Sequence, residues 1–191
     1  IVIPTYNESD NIRELVEEIL RLNTNPMEII IVDDNSPDGT GRIADELAQE
    51  HREVNVIHRP GKLGLGTAHI AGMKQALNHN AERIVTMDAD FSHHPRYIPQ
   101  LINKSARYDL VIGSRYVRGG GTLKCGIPRR ILSRLANLFA RLTLGLAAHD
   151  CTAGFRLYRR EMLEAIPLDE IFSNGYSFLM EMLYRCQKQS S

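Results

Sequence analysis

Two hydrophobic periods alternate along this chain: short apolar runs, and longer stretches where apolar residues return every third or fourth position. Ile1-Val2-Ile3 is a strand closed by Pro4, and Ile12, Leu15, Val16, Ile19 and Leu20 mark one face of a helix that Ser9 or Asp10 can cap. Glu28 to Asp33 holds the unbroken core Ile29-Ile30-Ile31-Val32, the pattern of a parallel strand covered on both faces. Asn35-Ser36-Pro37-Asp38-Gly39 is a turn, and Ile43, Ala44, Leu47 and Ala48 form the next helical stripe. Val54–Ile57 predicts a short strand, Thr67–Leu77 a helix, Arg83–Met87 a buried strand, Pro95–Ala106 a helix and Asp109–Gly113 a strand. The β-α-β-α order implies an α/β layer structure with a mainly parallel sheet.

In such sheets ligands gather at the carboxyl ends of the strands. Here those ends carry Tyr6-Asn7-Glu8, Asp33-Asp34, Asp88-Ala89-Asp90 and Ser114-Arg115. Asp88 and Asp90 stand two apart where a strand runs out, so on an extended backbone they face one volume. Two carboxylates held together repel unless a cation joins them or one is protonated. A hard divalent ion bridging them to a diphosphate is the chemical reading, and a helix N-cap from Asp90 or Ser92 is the structural one.

Composition narrows the choice. The 191 residues suit one domain over 1–191, 43% are hydrophobic, and the formal net charge is zero, which argues against a nucleic-acid binder. Cys125, Cys151 and Cys186 lack metal-ligand spacing and read as reduced thiols. No apolar stretch is long enough to cross a bilayer. The chain opens at Ile1 already inside a strand pattern and reads as a piece of a longer protein.

Other candidates weigh differently. Gly61, Gly64 and Gly66 match neither the P-loop nor the dinucleotide fingerprint, and glycine-assisted packing into the next helix accounts for them better. Adjacent His93 and His94 cannot easily share a metal; one capping or exposed is the default. Lys62 reads as a solvated lysine. Arg129 and Ser133 are one helical turn apart and can face one anion. Asp150 and Arg156 could form a buried pair. Leucines of Ile131–Leu146 recur at helical spacing opposite Arg130, Arg134, Asn137 and Arg141; packing on the sheet is preferred over lying in a membrane interface.

Six ordered segments carry a resemblance: Ile3-Pro4-Thr5-Tyr6-Asn7-Glu8, Val32 to Thr40, Leu63 to Ala68, Met87 to Asp90, Gly113 to Tyr116 and Gly154-Phe155-Arg156. Together the chain closely resembles family 2 glycosyltransferases of the GT-A (nucleotide-diphospho-sugar transferase) fold, a three-layer α/β/α sandwich. Within that family it is similar to the branch that moves mannose from GDP-mannose to dolichyl (polyprenyl) phosphate. The resemblance implies that Pro4, Tyr6, Glu8, Val32 and Asp34 hold the guanosine, and that Asp88, Ala89 and Asp90 meet ribose and diphosphate. It further implies Mg²⁺ or Mn²⁺ on Asp90 and Asp88, Arg115 along the donor, and Arg129 with Ser133 on the acceptor phosphate. Ser92 stands where some relatives place a further metal ligand, glutamine, and the family usually continues past this chain's end with a basic segment over the diphosphate.

The implied reaction is inverting: an acceptor phosphate oxygen attacks the anomeric carbon and GDP leaves from the opposite face, giving a β-linked lipid-phosphate mannose. The acceptor is already anionic, so no strong general base is needed. Such an enzyme would serve protein glycosylation or GPI-anchor-type pathways. Its place would be the cytosolic face of a membrane, endoplasmic reticulum in a eukaryote or plasma membrane in a prokaryote. Peripheral contact or membrane-embedded partner subunits would bring it to the lipid. UDP-glucose as donor, or a catalytically silent nucleotide-sugar-binding module, are the competing readings.

Overall fold

The computed structural model describes residues 1–24, 26–117, 137–138 and 141–189. Among them the strands are β1 (Val2–Thr5), β2 (Ile29–Asp33), β3 (Val54–His58), β4 (Arg83–Thr86), β5 (Leu110–Ile112) and β6 (Arg156–Arg159). The helices are α1 (Ile12–Arg21), α2 (Thr40–Glu50), α3 (Leu65–Asn78), α4 (Ile98–Lys104), α5 (Arg160–Glu164) and α6 (Tyr176–Gln189), with a 3₁₀ turn at Pro95–Tyr97 leading into α4. The sheet order is β3-β2-β1-β4-β6-β5. Pairs β1–β2, β2–β3 and β1–β4 are parallel, whereas β6 is antiparallel to both β4 and β5.

Side-chain alternation along the strands builds two cores, one on each face. Ile3, Ile29, Ile31 and Val85 pack with α1, α2 and α4, while Val2, Ile30, Val32 and Ile84 pack with α3, α5 and α6. This is the three-layer α/β/α arrangement. The run Ile29–Val32 of β2 can be all apolar because both faces are covered. Helix α1 buries Ile12, Leu15, Val16 and Ile19, the stripe read from its period.

α3 approaches the sheet closely because it lacks side chains where the strands are nearest. A Cβ on Gly72 would sit 2.3 Å from Val2 Cγ1, and one on Gly66 would sit 2.9 Å from the Phe178 ring and Ser173 O. Of the three glycines read from the sequence, Gly66 serves close packing as expected, Gly64 turns at φ 104° beside Asn174, and Gly61 meets nothing within 4 Å.

Several expectations needed correction. α1 begins after Asn11 without a side-chain cap; Ser9 and Asp10 do not cap it, and Ser9 N–H instead donates to Asp38 across the neighbouring loop. The 3₁₀ turn before α4 is capped by His94, whose Nδ1 accepts from Arg96 N, and not by Asp90 or Ser92. The antiparallel insertion of β6 between β4 and β5 had no signature in the hydrophobic pattern. Asp150 does not pair with Arg156. The Arg156 guanidinium is fully buried and donates to Cys151 O, Ala153 O and Leu179 O, tying the segment before β6 to α6.

Arg129, Ser133 and Cys125 lie outside the described residues, as do residues 131–136 and 139–140 of the Ile131–Leu146 stripe. Where that stripe is described its polarity is the reverse of the expectation. Asn137 is buried and accepts from Cys151 N, whereas Leu138 and Leu142 are 49% and 76% exposed. Leu146 alone of these leucines turns inward, onto Cys151 and Leu183. No helix of the described residues is long and apolar enough to cross a membrane.

Close packing of α3 predicts a specific sensitivity. Gly72→Ala should lower the unfolding free energy by about 1–3 kcal/mol, because β-branched Val2 and Val32 cannot yield. Gly61→Ala, which meets nothing within 4 Å, should leave the denaturation midpoint unchanged. Equal midpoints for the two variants would show that α3 does not seat this closely.

Candidate active site

The loops that follow β1, β2 and β4 meet at the carboxyl edge of the sheet, and hydrogen bonds lace the first two together. Asn7 N–H donates to Ser36 Oγ, Glu8 N–H to Thr40 Oγ1 and Ser9 N–H to Asp38 Oδ2, at 3.1, 2.9 and 3.0 Å. Asp33 anchors the second loop by accepting from Ser36 Oγ, Ser36 N and Thr5 Oγ1. Each of the three loops turns through a left-handed residue: Asn7 (φ 61°), Asn35 (φ 56°) and Phe91 (φ 58°). Asparagine tolerates that conformation, whereas for a bulky phenylalanine it is strained, by roughly 1–2 kcal/mol.

Phe91 lies just after the acidic pair, in a loop that closes on itself. The last ladder-like bond of β4 runs from Met87 N to Val2 O. The next amide, Asp88 N–H, donates instead to His93 Nδ1 at 3.0 Å, and Ser92 N–H donates to Asp90 Oδ1 at 2.9 Å. The His93 ring stacks on Phe155 with centroids 5.3 Å apart and planes within 13°. Gly154 leaves room for this arrangement, since a Cβ there would lie 3.3 Å from Asp88 Oδ1 and 3.4 Å from His93 Cε1. Asp90 ends up exposed, Asp88 half-buried and Ala89 buried.

The acids crowd one another. Burial pushes the Glu8 carboxyl above its usual range, a hydrogen bond from Asn11 opposes this, and the charges of Asp90, Asp88 and Asp38 add to the rise. Asp88 is raised too, by burial first and by Asp90, against the pull of His93 and Arg115. Asp38 moves the other way: burial alone would raise it, but bonds from Thr40 Oγ1, Ser9 N and Thr40 N hold it well below the carboxylate range. A divalent cation fits this set, since it would relieve the mutual repulsion of Asp88, Asp90 and Glu8. The described residues contain no group of three His, Cys, Asp or Glu placed to hold a metal by themselves. The protein would thus offer a carboxylate or two and leave the remaining positions to diphosphate and water, as Mg²⁺-type ions commonly accept.

Other candidate residues are spread along the same rim. Tyr6 is half-buried beneath Lys62, which is exposed, as expected of a solvated lysine, with its Nζ 4.1 Å from the ring centroid. Asp34 is buried beside Arg59, its Oδ1 2.8 Å from Nη1 but out of line for a hydrogen bond. Arg59 also donates to Thr67 Oγ1 and Gly64 O. Pro4 is half-buried in β1 opposite Val32, and the Val32 side chain is spent in the core under α3, leaving only its main chain to meet a ligand. Arg115 is held by Asp150: Nε and Nη2 grip the two carboxylate oxygens at 3.0 and 2.7 Å, and Nη2 also donates to Thr152 Oγ1. Asp150 has a side chain 0% exposed and its carboxyl is held low; burial would raise it, but the Arg115 bonds prevail.

Reasoning from sequence therefore found Glu8, Asp88, Asp90 and Arg115 on one edge, but missed what holds them. The Asp38–Ser9, Arg59–Asp34 and His93–Phe155 contacts join residues far apart in sequence. Only Asp38-Gly39-Thr40, an acid two before a hydroxyl at a helix start, offered a local signal.

Comparison with known proteins agrees with this picture. The chain is 44% identical over 187 residues to polyprenol monophosphomannose synthase of Mycolicibacterium smegmatis, covering 97% of this chain and 70% of that protein. It is likewise 44% identical over 184 residues to undecaprenyl-phosphate mannosyltransferase of Micrococcus luteus, covering 96% and 75%. Among solved structures, glucosyl-3-phosphoglycerate synthase from Mycobacterium tuberculosis, in complex with Mn²⁺ and UDP-glucose, superimposes with a TM-score of 0.68 at 23% identity. That match covers 95% of this chain but only 61% of the other, and it shows the shared fold. Residues 1–166 match the model of glycosyl transferase family 2, and the chain belongs to that family.

Proposed function

We propose that this protein is a polyprenyl-phosphate mannosyltransferase that takes mannose from GDP-mannose. The observation that carries the reading is the acidic loop after β4, which presents exposed Asp90 and half-buried Asp88 beside Glu8 at the sheet's carboxyl edge. The names of the two curated relatives support mannose as the sugar and a polyprenyl phosphate as the acceptor. GDP as the carrier rests on the resemblance of the six ordered segments to the branch that uses GDP-mannose.

In the reaction an acceptor phosphate oxygen forms a bond to the anomeric carbon while the bond from that carbon to the diphosphate breaks, GDP departing with the electron pair. Mg²⁺ or Mn²⁺, held by Asp90 and Asp88, would neutralise charge on the departing diphosphate. The loops after β1 and β2 hold the nucleoside with Tyr6, Glu8 and Asp34, and Ala89 lines the ribose side. Arg115 is fixed by Asp150 and lends positive charge near Asp88. Arg129 and Ser133 remain the proposed acceptor-phosphate residues. The exposed Leu138 and Leu142 favour peripheral contact with the membrane that carries the acceptor.

Incubation with Mn²⁺, polyprenyl phosphate and labelled GDP-mannose or UDP-glucose, followed by lipid extraction, should give lipid-linked mannose from the first donor and no product from the second. Asp90→Ala should lower that transfer at least roughly 100-fold. Labelled lipid from UDP-glucose alone, or full activity of the variant, would overturn the assignment. The membrane reading has its own test: Leu138→Glu/Leu142→Glu should reduce flotation with liposomes, and undiminished flotation would exclude this surface.

A further inference from the structure

His93 and His94 are neighbours with different work. His94 lies on the surface and caps a 3₁₀ turn. His93 is turned inward and meets three independent constraints. Its Nδ1 accepts the Asp88 amide, its face stacks on Phe155, and its Cε1 edge fills the space left by the missing Cβ of Gly154. Phe155 is itself set by Gly113, where a Cβ would come within 2.5 Å of its ring, and by the bond from Gly113 N to Phe155 O. A chain of contacts thus runs from the sheet, through Gly113 and Phe155, to the ring that holds the first acid of the pair.

The geometry also states what the ring must be. Accepting at Nδ1 places the proton of neutral imidazole on Nε2. Asp88 N–H is the first amide beyond the ladder, and a buried amide without an acceptor is costly. Phe91, strained in the left-handed region, sits inside the loop that this bond closes. Strain of that kind persists only where surrounding contacts over-determine the backbone.

We propose that His93 is a positioning residue: by accepting the Asp88 amide it closes the strained loop and aims the Asp88 and Asp90 carboxylates at one cation and diphosphate. The inference rests on the transferase reading above and deepens it. It assigns His93 no proton transfer and no contact with the metal.

Two substitutions separate the ring's acceptor from its packing. His93→Phe keeps the stack on Phe155 and removes the acceptor, whereas His93→Asn supplies an amide oxygen near the place of Nδ1 and gives up the stack. For His93→Phe, the Mn²⁺ concentration that half-saturates mannosyl transfer should rise roughly 10- to 100-fold, the usual effect of losing a group that orients a metal ligand. The thermal stabilisation by GDP with Mn²⁺ should shrink in step, while His93→Asn recovers most of both. A purely structural role would lower the ligand-free melting point of either variant and leave the Mn²⁺ dependence where it is. Wild-type Mn²⁺ dependence in His93→Phe, or equal impairment of the two variants, would overturn the proposal. The thermal measurement needs neither sugar nor acceptor, so it decides the role of His93 even if no mannose is transferred and the transferase reading falls.

Discussion

Repulsion among carboxylates at the carboxyl edge of the sheet is the constraint around which this structure is organised. Glu8, Asp38, Asp88 and Asp90 share one electrostatic neighbourhood, and each is managed differently. Asp38 keeps its charge, satisfied by Thr40 Oγ1, Thr40 N and Ser9 N, and becomes part of the scaffold. Asp33 is consumed in the same way by Ser36 and Thr5. Glu8, Asp88 and Asp90 keep acceptor capacity that the described residues do not fill. At a few ångströms, like charges in partly buried surroundings interact on the order of several kcal/mol, a cost a fold retains where something else supplies the counter-charge.

Among the described residues, the cations of the rim are committed elsewhere. Arg115 is gripped by Asp150, Arg59 lies against Asp34, and Lys62 sits over Tyr6. Arg156 is turned inward on three carbonyls. Had any of these reached Asp88 or Asp90 directly, the acids would form an internal salt bridge with little affinity for a metal and diphosphate. Their pairing with other partners leaves the acidic loop open while keeping positive charge close enough to favour anionic ligands. Asp150 is therefore spent on holding Arg115.

Burial explains why Cys151, Cys186 and His69 do so little of what their residue types suggest. The Cys186 thiol is pushed up to about 12 by burial, which leaves it unreactive, and Cys151 is raised for the same reason. His69, fully buried and stacked on Phe178, is driven down to about 3 by desolvation and then by the charge of Arg156, so it remains neutral. At residues 137, 138 and 142 the asparagine faces inward and the leucines outward, because Asn137 has a backbone amide to satisfy at Cys151. Helical spacing identifies two faces but does not say which one the tertiary structure will cover.

The alternating periods, the apolar run Ile29–Val32 and the small residues of α3 were enough to specify a layered α/β domain with a mainly parallel sheet. They also put Glu8, Asp34, Asp88, Asp90 and Arg115 at strand ends, because strand direction and side-chain alternation are local properties. The six-segment resemblance pointed to the family as well. What remained hidden depended on residues distant along the chain. The antiparallel entry of β6, the Asp150–Arg115 grip 35 residues apart and the Phe155–His93–Asp88 contact chain arise only when separate segments are packed together. Sequence determined which groups stand at the edge of the sheet; tertiary packing decided which of them stay unpaired, since a charge is free only when no neighbour in space has claimed it.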